Sequence, residues 1–247
     1  MTHTKHRTPN RRKKGIGSRE SGAAAAHDSL LATPESPLPT PHARPAVFLD
    51  RDGTISEEVG YVNHIDRLRL FPWTAPAIRK LNEAGMAVVV ITNQSGVGQG
   101  YFPEDLVQAV HERIREELAS EGARVDAFYY CPHHPNAKLA AYRMVCRCRK
   151  PDTGMIEQAA ADLGLDLGSA AVVGDSTRDI ETGSRAGART ALVLTGYGKG
   201  NYEYLRAEWQ CPPDFVAENL LEAVEWILAE RVKESRRQGV RSRKTQD

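Results

Sequence analysis

Ala46-Val47-Phe48-Leu49-Asp50-Arg51-Asp52-Gly53-Thr54 decides how the rest of the chain is read. Four apolar residues in succession have the length and character of a short buried strand, ended by two aspartates and a glycine. Asp50 and Asp52 lie two apart, so a regular strand points both to one face. Open α/β sheets place their sites at the C-terminal ends of their strands, where these carboxylates fall. An Asp-Gly turn closing a hairpin is the competing reading. It needs a partner strand directly after Thr54, and Ser56-Glu57-Glu58-Val59-Gly60 is a poor one.

Outward from this stretch the chain alternates strand and helix. Thr74 to Ala84 reads as a helix stopped by Gly85, and Met86 to Ile91 as a β-branched buried strand running into Thr92-Asn93-Gln94-Ser95-Gly96. Pro103 to Ser120 carries Leu106, Val110, Ile114 and Leu118 at helical spacing. A strand over Val125 to Tyr130 follows, then an irregular stretch, 131–150. Gly154 to Leu163 reads as a helix, Ala170 to Val173 as a strand ending at Gly174-Asp175, Asp179 to Ala186 as a helix and Thr190 to Leu194 as a strand. A last amphipathic helix runs from about Ala217 into the C-terminal tail. This interleaving predicts an α/β fold with a mainly parallel sheet and right-handed crossovers.

The 247 residues carry 33 basic and 32 acidic side chains, but unevenly. Residues 1–45 hold eight Lys/Arg against three Asp/Glu, and 231–247 seven against two, so each is net +5 while 46–230 is net −9. The first segment is rich in Pro, Ser, Thr and Ala without apolar periodicity and reads as a disordered basic tail. Residues 46–230 read as the folded domain and 231–247 as a second basic tail. Arg11-Arg12-Lys13-Lys14 invites nucleic acid, but residues 1–45 hold no aromatic side chain to stack on a base, so no nucleic-acid partner is expected. No apolar run is long enough to span a bilayer and no signal-peptide core is present, so the expectation is a cytoplasmic protein without a membrane partner. Four cysteines are too few for a disulfide framework in a chain this long.

Asp50/Asp52, Thr92/Asn93 and Asp175 each end a strand, so a parallel sheet brings them to one edge. Carboxylates and a hydroxyl with a nearby lysine suit phosphoryl transfer assisted by Mg²⁺, a cation that prefers oxygen ligands. Within 18 residues of the irregular stretch lie Cys131, His133, Cys146 and Cys148, a donor set suited to a closed structural zinc site. A loop that long needs something to hold it. Adjacent His134 leaves the choice of histidine open, and Cys211 has no partner in sequence.

Asp50-Arg51-Asp52-Gly53-Thr54, Thr92-Asn93, Lys150 and Gly174-Asp175 resemble, in order, the four motifs of the haloacid dehalogenase superfamily of phosphohydrolases, a Rossmann-like doubly wound fold. The resemblance implies that Asp50 attacks phosphorus and that Asp52 protonates the leaving oxygen and then activates water. It also implies that Thr92 and Lys150 hold the phosphoryl oxygens, and that Asp50, the Asp52 main-chain carbonyl and Asp175 hold Mg²⁺. Tyr129-Tyr130-Cys131-Pro132-His133-His134-Pro135 and Cys146-Arg147-Cys148-Arg149-Lys150-Pro151 resemble the D-glycero-D-manno-heptose-1,7-bisphosphate 7-phosphatases, with histidinol-phosphate phosphatase as the near alternative. Twelve residues between His133 and Cys146 favour the former.

That resemblance spans about Ala46 to Gly198 and implies His133 as the zinc ligand. It further implies that Glu58, Val59, Gly60, Tyr61, Asn93, Gln94, Ser95 and Arg149 line a sugar-phosphate site serving nucleotide-activated heptose, hence lipopolysaccharide, biosynthesis. A monomer is expected. One departure stands out: Ser176 follows the metal aspartate where the family commonly has Lys, with Arg178 two residues on.

Overall fold

The computed structural model describes residues 43–244; the disordered tail expected over 1–45 lies almost wholly outside them. Six strands form one all-parallel sheet: β1 (Arg44–Leu49), β2 (Ala87–Asn93), β3 (Ala127–Cys131), β4 (Leu165–Gly174), β5 (Arg189–Val193) and β6 (Phe215–Ala217). Their order is β3-β2-β1-β4-β5-β6, so the chain leaves β1 toward one side, returns across it and fills the other. β1 and β4 therefore flank a point where the winding reverses, which is where such sheets open a crevice.

Side-chain alternation divides the core in two. Val47 and Leu49 of β1, with Val88 and Val90 of β2, pack on one face against α1 (Thr74–Glu83), α2 (Glu104–Ser120) and α6 (Leu220–Lys244), through Ile78, Ile114 and Val224 among others. Ala46, Phe48, Val89 and Ile91 face the other way, onto Ile156 and Ala159 of α3 (Gly154–Leu163). Strands covered on both faces need continuous apolar runs, which is why β1 and β2 read as they do. α4 (Thr177–Arg185) lies tight against the sheet because Gly183 has no Cβ; one there would sit 2.9 Å from the Val172 Cβ.

Three expectations are corrected. β4 starts at Leu165 rather than Ala170, because its first residues pair with Arg44 and Pro45 before a register shift on β1. β6 is too short to announce itself, and Ala217, expected in the last helix, belongs to it. That helix starts at Leu220, where the Asn219 Oδ1 accepts from the Leu221 N–H at 3.0 Å and the Glu222 N–H at 3.2 Å, an N-cap. α6 then continues through most of the basic C-terminal stretch. A one-turn α5 (Gly198–Gly200) and the short turns Asn201–Leu205 and Arg206–Glu208 bridge β5 to β6. No helix among the described residues is long and apolar enough to cross a membrane.

Candidate active site and candidate zinc site

Leu49 is level with Val90 on one side and Val173 on the other, so β1 and β4 end within a residue of each other while β2 runs on to Asn93 along the same edge. The residues that follow form one ledge above a cleft of about 300 Å³. Asp50, Asp52, Thr92, Asn93, Gln94, Ser95, Arg149, Lys150 and Asp175 all border it, as do Glu58, Gly60 and Tyr61. Val59 does not. It packs against the first core instead, its carbonyl accepting from Arg67, and Val62 takes a place on the wall.

Lys150, 3% exposed, reaches the ledge from the irregular stretch. Its Nζ lies 2.7 Å from the Asp50 Oδ1 and 2.6 Å from the Asp179 Oδ1, and donates to the Ile91 carbonyl at 2.9 Å. Asn93 fixes this approach: its side-chain amide donates to the Lys150 carbonyl and accepts from the Lys150 N–H, both at 3.1 Å. Burial works against the Lys150 charge, but Asp179 and Asp50 outweigh it and push its pKa up. Burial raises the Asp50 pKa against the pull of Lys150. Asp175 is raised as well, by burial and then by the Asp50 charge, although the Tyr197 N–H donates to its Oδ2 at 2.8 Å.

Asp50, Asp175 and Asp179 present carboxylate oxygens within 4.8 Å of one another. One cation cannot neutralise three buried carboxylates, so the donor set fits a divalent ion. Asp179 is already engaged on both oxygens, by Lys150 and by the Ser176 hydroxyl (2.5 Å) and N–H (3.1 Å). Asp50 and Asp175 are thus the two with oxygen to spare. Gly53 and Gly196 close over Asp175; a Cβ on either would meet its Oδ2 at 2.0 or 2.1 Å.

Asp52 is gripped from behind. Arg51 donates through Nε to Oδ1 at 3.0 Å and through Nη2 to Oδ2 at 2.7 Å. Gln94 donates to the same Oδ2 at 2.9 Å and to the Thr92 Oγ1 at 2.9 Å, so it supports two site residues as well as lining the wall. Sequence reasoning missed Arg51, Asp179 and Tyr197. It also gave Ser176 no position: the hydroxyl caps α4 through a reciprocal box with Asp179.

Between β3 and α3 the structure brings together Cys131, His133, Cys146 and Cys148. The three sulfurs lie 3.2–3.5 Å apart, and the His133 Nδ1 is 3.4 Å from the Cys148 Sγ and 3.7 Å from the Cys131 Sγ. A tetrahedron of sulfurs about 2.3 Å from zinc has edges of about 3.8 Å, so modest expansion admits the ion. His134 is turned away, its Nδ1 accepting from the Asn136 N–H at 3.0 Å. All four cysteines are free thiols, and burial raises the pKa of Cys131 and Cys148. Arg149 follows directly, its Nη1 donating to the His133 carbonyl at 3.1 Å while its side chain lines the cleft.

A doubly wound parallel sheet with acidic groups, a threonine and a buried lysine on its carboxyl edge defines the class as a haloacid dehalogenase-like hydrolase. Residues 147–223 match the family described as HAD-hydrolase-like. A D-glycero-D-manno-heptose-1,7-bisphosphate 7-phosphatase of Thermosynechococcus vestitus is 44% identical over 192 residues, spanning 74% of this chain and 95% of its own. A D-glycero-beta-D-manno-heptose-1,7-bisphosphate 7-phosphatase of Yersinia pestis is 37% identical over 186 residues, 75% and 96%. The solved D,D-heptose 1,7-bisphosphate phosphatase of B. bronchiseptica, complexed with magnesium and phosphate, aligns with a TM-score of 0.66 at 34% identity, covering 75% of this chain and 99% of that one. This chain belongs to the D-glycero-D-manno-heptose-1,7-bisphosphate 7-phosphatase family, and is an enzyme of the phosphatase class.

Proposed function

We propose that this chain is a Mg²⁺-dependent phosphatase that removes the 7-phosphate of D-glycero-D-manno-heptose 1,7-bisphosphate through an aspartyl-phosphate on Asp50. The observation that carries the reading is the Asp50 carboxylate set against Lys150 (2.7 Å), beside Asp175 and Asp52, on the floor of one cleft. Asp50 attacks phosphorus while Lys150 and Thr92 hold phosphoryl oxygens. Asp52 gives a proton to the leaving oxygen and later takes one from the attacking water. Mg²⁺, held by Asp50, Asp175 and the Asp52 carbonyl, would offset the repulsion between carboxylate and phosphate.

The second phosphate has its own attraction. Arg149 and Arg178 both line the cleft, and the Arg149 pKa is lowered by burial and, among its neighbours, by the Arg178 charge. An anion between two guanidinium groups relieves that repulsion. With Ser176 committed to Asp179, Arg178 supplies the cation that the family's lysine would have brought.

Zinc, held by Cys131, His133, Cys146 and Cys148, would fix the loop that carries Arg149 and Lys150. The four free thiols fit a reducing, cytoplasmic setting.

Rates on both heptose bisphosphate anomers and on histidinol phosphate, with and without Mg²⁺, test the reading. Phosphate release from a heptose bisphosphate only in the presence of Mg²⁺ is expected. Faster turnover of histidinol phosphate would overturn the substrate, and a Mg²⁺-independent rate the metal.

A further inference from the structure

Arg51 sits between the two site aspartates and on the opposite side of the chain from them, 1% exposed. A cation there is costly, and a buried ion pair is often no more stable than apolar residues of similar volume. Packing does not explain it. Both guanidinium hydrogen bonds, Nε at 3.0 Å and Nη2 at 2.7 Å, go to the Asp52 carboxylate, while the buried Nη1 has no partner among the described residues. A structural arginine would tie several elements together. This one spends its fork on one side chain, at the expense of an orphaned donor.

The backbone of Arg51 makes that grip rigid. Its carbonyl accepts from the N–H groups of Thr54, Ile55 and Ser56 at 3.3, 3.0 and 3.1 Å, so the guanidinium and Asp52 are set by one tight turn. Gln94 adds a donor to Oδ2 from β2's end, and the Ser56 hydroxyl lies 3.4 Å from Oδ1. A fork with two parallel bonds fixes the plane of a carboxylate as a single ammonium cannot.

We propose that Arg51, seconded by Gln94, is the positioning residue of the proton-transfer step, fixing the Asp52 carboxylate against the leaving oxygen. The inference rests on the phosphatase reading above. As an Asp50 oxygen bonds phosphorus, the bond from phosphorus to the ester oxygen breaks, and that oxygen takes the proton carried on the Asp52 Oδ1. The second lone pair of this Oδ1 is open when the Ser56 hydroxyl donates to the Arg51 carbonyl (3.3 Å) instead. In the second half a water oxygen bonds phosphorus, the bond to Asp50 breaks, and the water's proton passes to Asp52. A sugar alkoxide needs that first proton as it leaves; a nitrophenolate does not. Misplacing Asp52 therefore slows the first step for alkyl esters and spares aryl ones.

The test is kcat/KM, which reports steps through the first irreversible one, for heptose 1,7-bisphosphate and for p-nitrophenyl phosphate, measured with Mg²⁺ in wild type, Arg51→Lys and Gln94→Leu. Arg51→Lys should lower the sugar-phosphate value by about 30-fold or more, part of the roughly 10²–10⁴-fold a general acid supplies, and the aryl value by less than about threefold. Gln94→Leu should shift the ratio the same way by a smaller factor. Equal losses on both esters would overturn the proposal. If Arg51→Lys does not fold, the Gln94→Leu ratio decides it by the same criterion. In an Asp52→Asn background Arg51→Lys should cost nothing further, and an additional loss there would count against positioning through Asp52. Asp50→Asn separates the two levels. If it leaves p-nitrophenyl phosphate hydrolysis intact, the phosphatase reading itself falls; if it abolishes hydrolysis while the ratio stays flat, only the role of Arg51 does.

Discussion

The sheet-edge ledge and the cysteine loop are neighbours built on opposite principles. On the ledge, Asp50, Thr92 and Asp175 are carried by strands whose Phe48, Val89 and Val172 are fixed in the core, and the charges are matched by Lys150 and Arg51. The loop between β3 and α3 leaves Leu139, Met144 and Val145 exposed rather than packed, and gathers three sulfurs and an imidazole within 3.7 Å instead. Hydrophobic burial holds the first whether or not a cation is bound. Under the zinc proposal, ligand bonds would hold the second, and metal binding and local folding would be coupled there. Lys150 belongs to both, since the loop carries it and its ammonium ends on the ledge.

The largest effect should come from the ledge. Asp50→Asn keeps shape and removes the nucleophilic oxygen, so turnover should drop by about 10³-fold or more, as removal of a nucleophile does elsewhere. Circular dichroism and melting temperature should stay close to wild type, because burial already disfavours the Asp50 charge. Unfolding of this variant would show that the ledge is less independent of its charges than the comparison holds.

The loop should respond differently. Metal analysis should find about one zinc per chain. Cys148→Ser should lose that zinc, raise hydrogen exchange over 133–148 and leave β1 and β2 amides protected. Activity should fall through a raised KM before kcat, since Arg149 is the first cleft residue the loop releases. A uniform rise in exchange across the sheet would break the comparison, because it would make the loop part of the core's stability.

The two regions also differ in how far the sequence exposed them. β1 and β2 were legible because strands buried on both faces must be apolar throughout, and Asp50 after β1 and Thr92-Asn93 at the end of β2 break those runs abruptly. The cysteine loop was legible because its ligands are chemically distinctive; the residues alone leave His133 and His134 open, the family resemblance implies His133, and His134 is bonded within its own turn. Asp179 was hidden by its own good sense: Ser176-Thr177-Arg178-Asp179 reads as an ordinary helix start, and it is one, but the same carboxylate also holds Lys150. Arg51, inside the motif of Asp50 and Asp52, has no role assigned from sequence. The available signal is its phase: continuing the alternation of β1 puts it in line with Val47 and Leu49, and a charged residue on that buried side requires a partner. β6 and the Asn219 cap escaped because three residues carry no periodicity.

A smaller effect lies behind the ledge, where His111 of α2 stacks on Phe128 with ring centroids 4.6 Å apart. Its Nε2 is buried without a partner among the described residues, and burial, then the Arg51 and Arg115 charges, push its pKa down to about 3 from 6.5. The folded chain therefore keeps the imidazole neutral over an interval in which the unfolded chain binds a proton. Stability from this residue is complete above about pH 6.5 and is lost progressively as the pH falls toward 3. His111→Phe preserves the stacked ring and cannot titrate. Its melting temperature should change less than wild type's between pH 6.5 and 4, with the two proteins close at pH 7.5. Parallel curves would mean that His111 is solvated in the folded state, and that the floor beneath the ledge is wetter than its burial indicates.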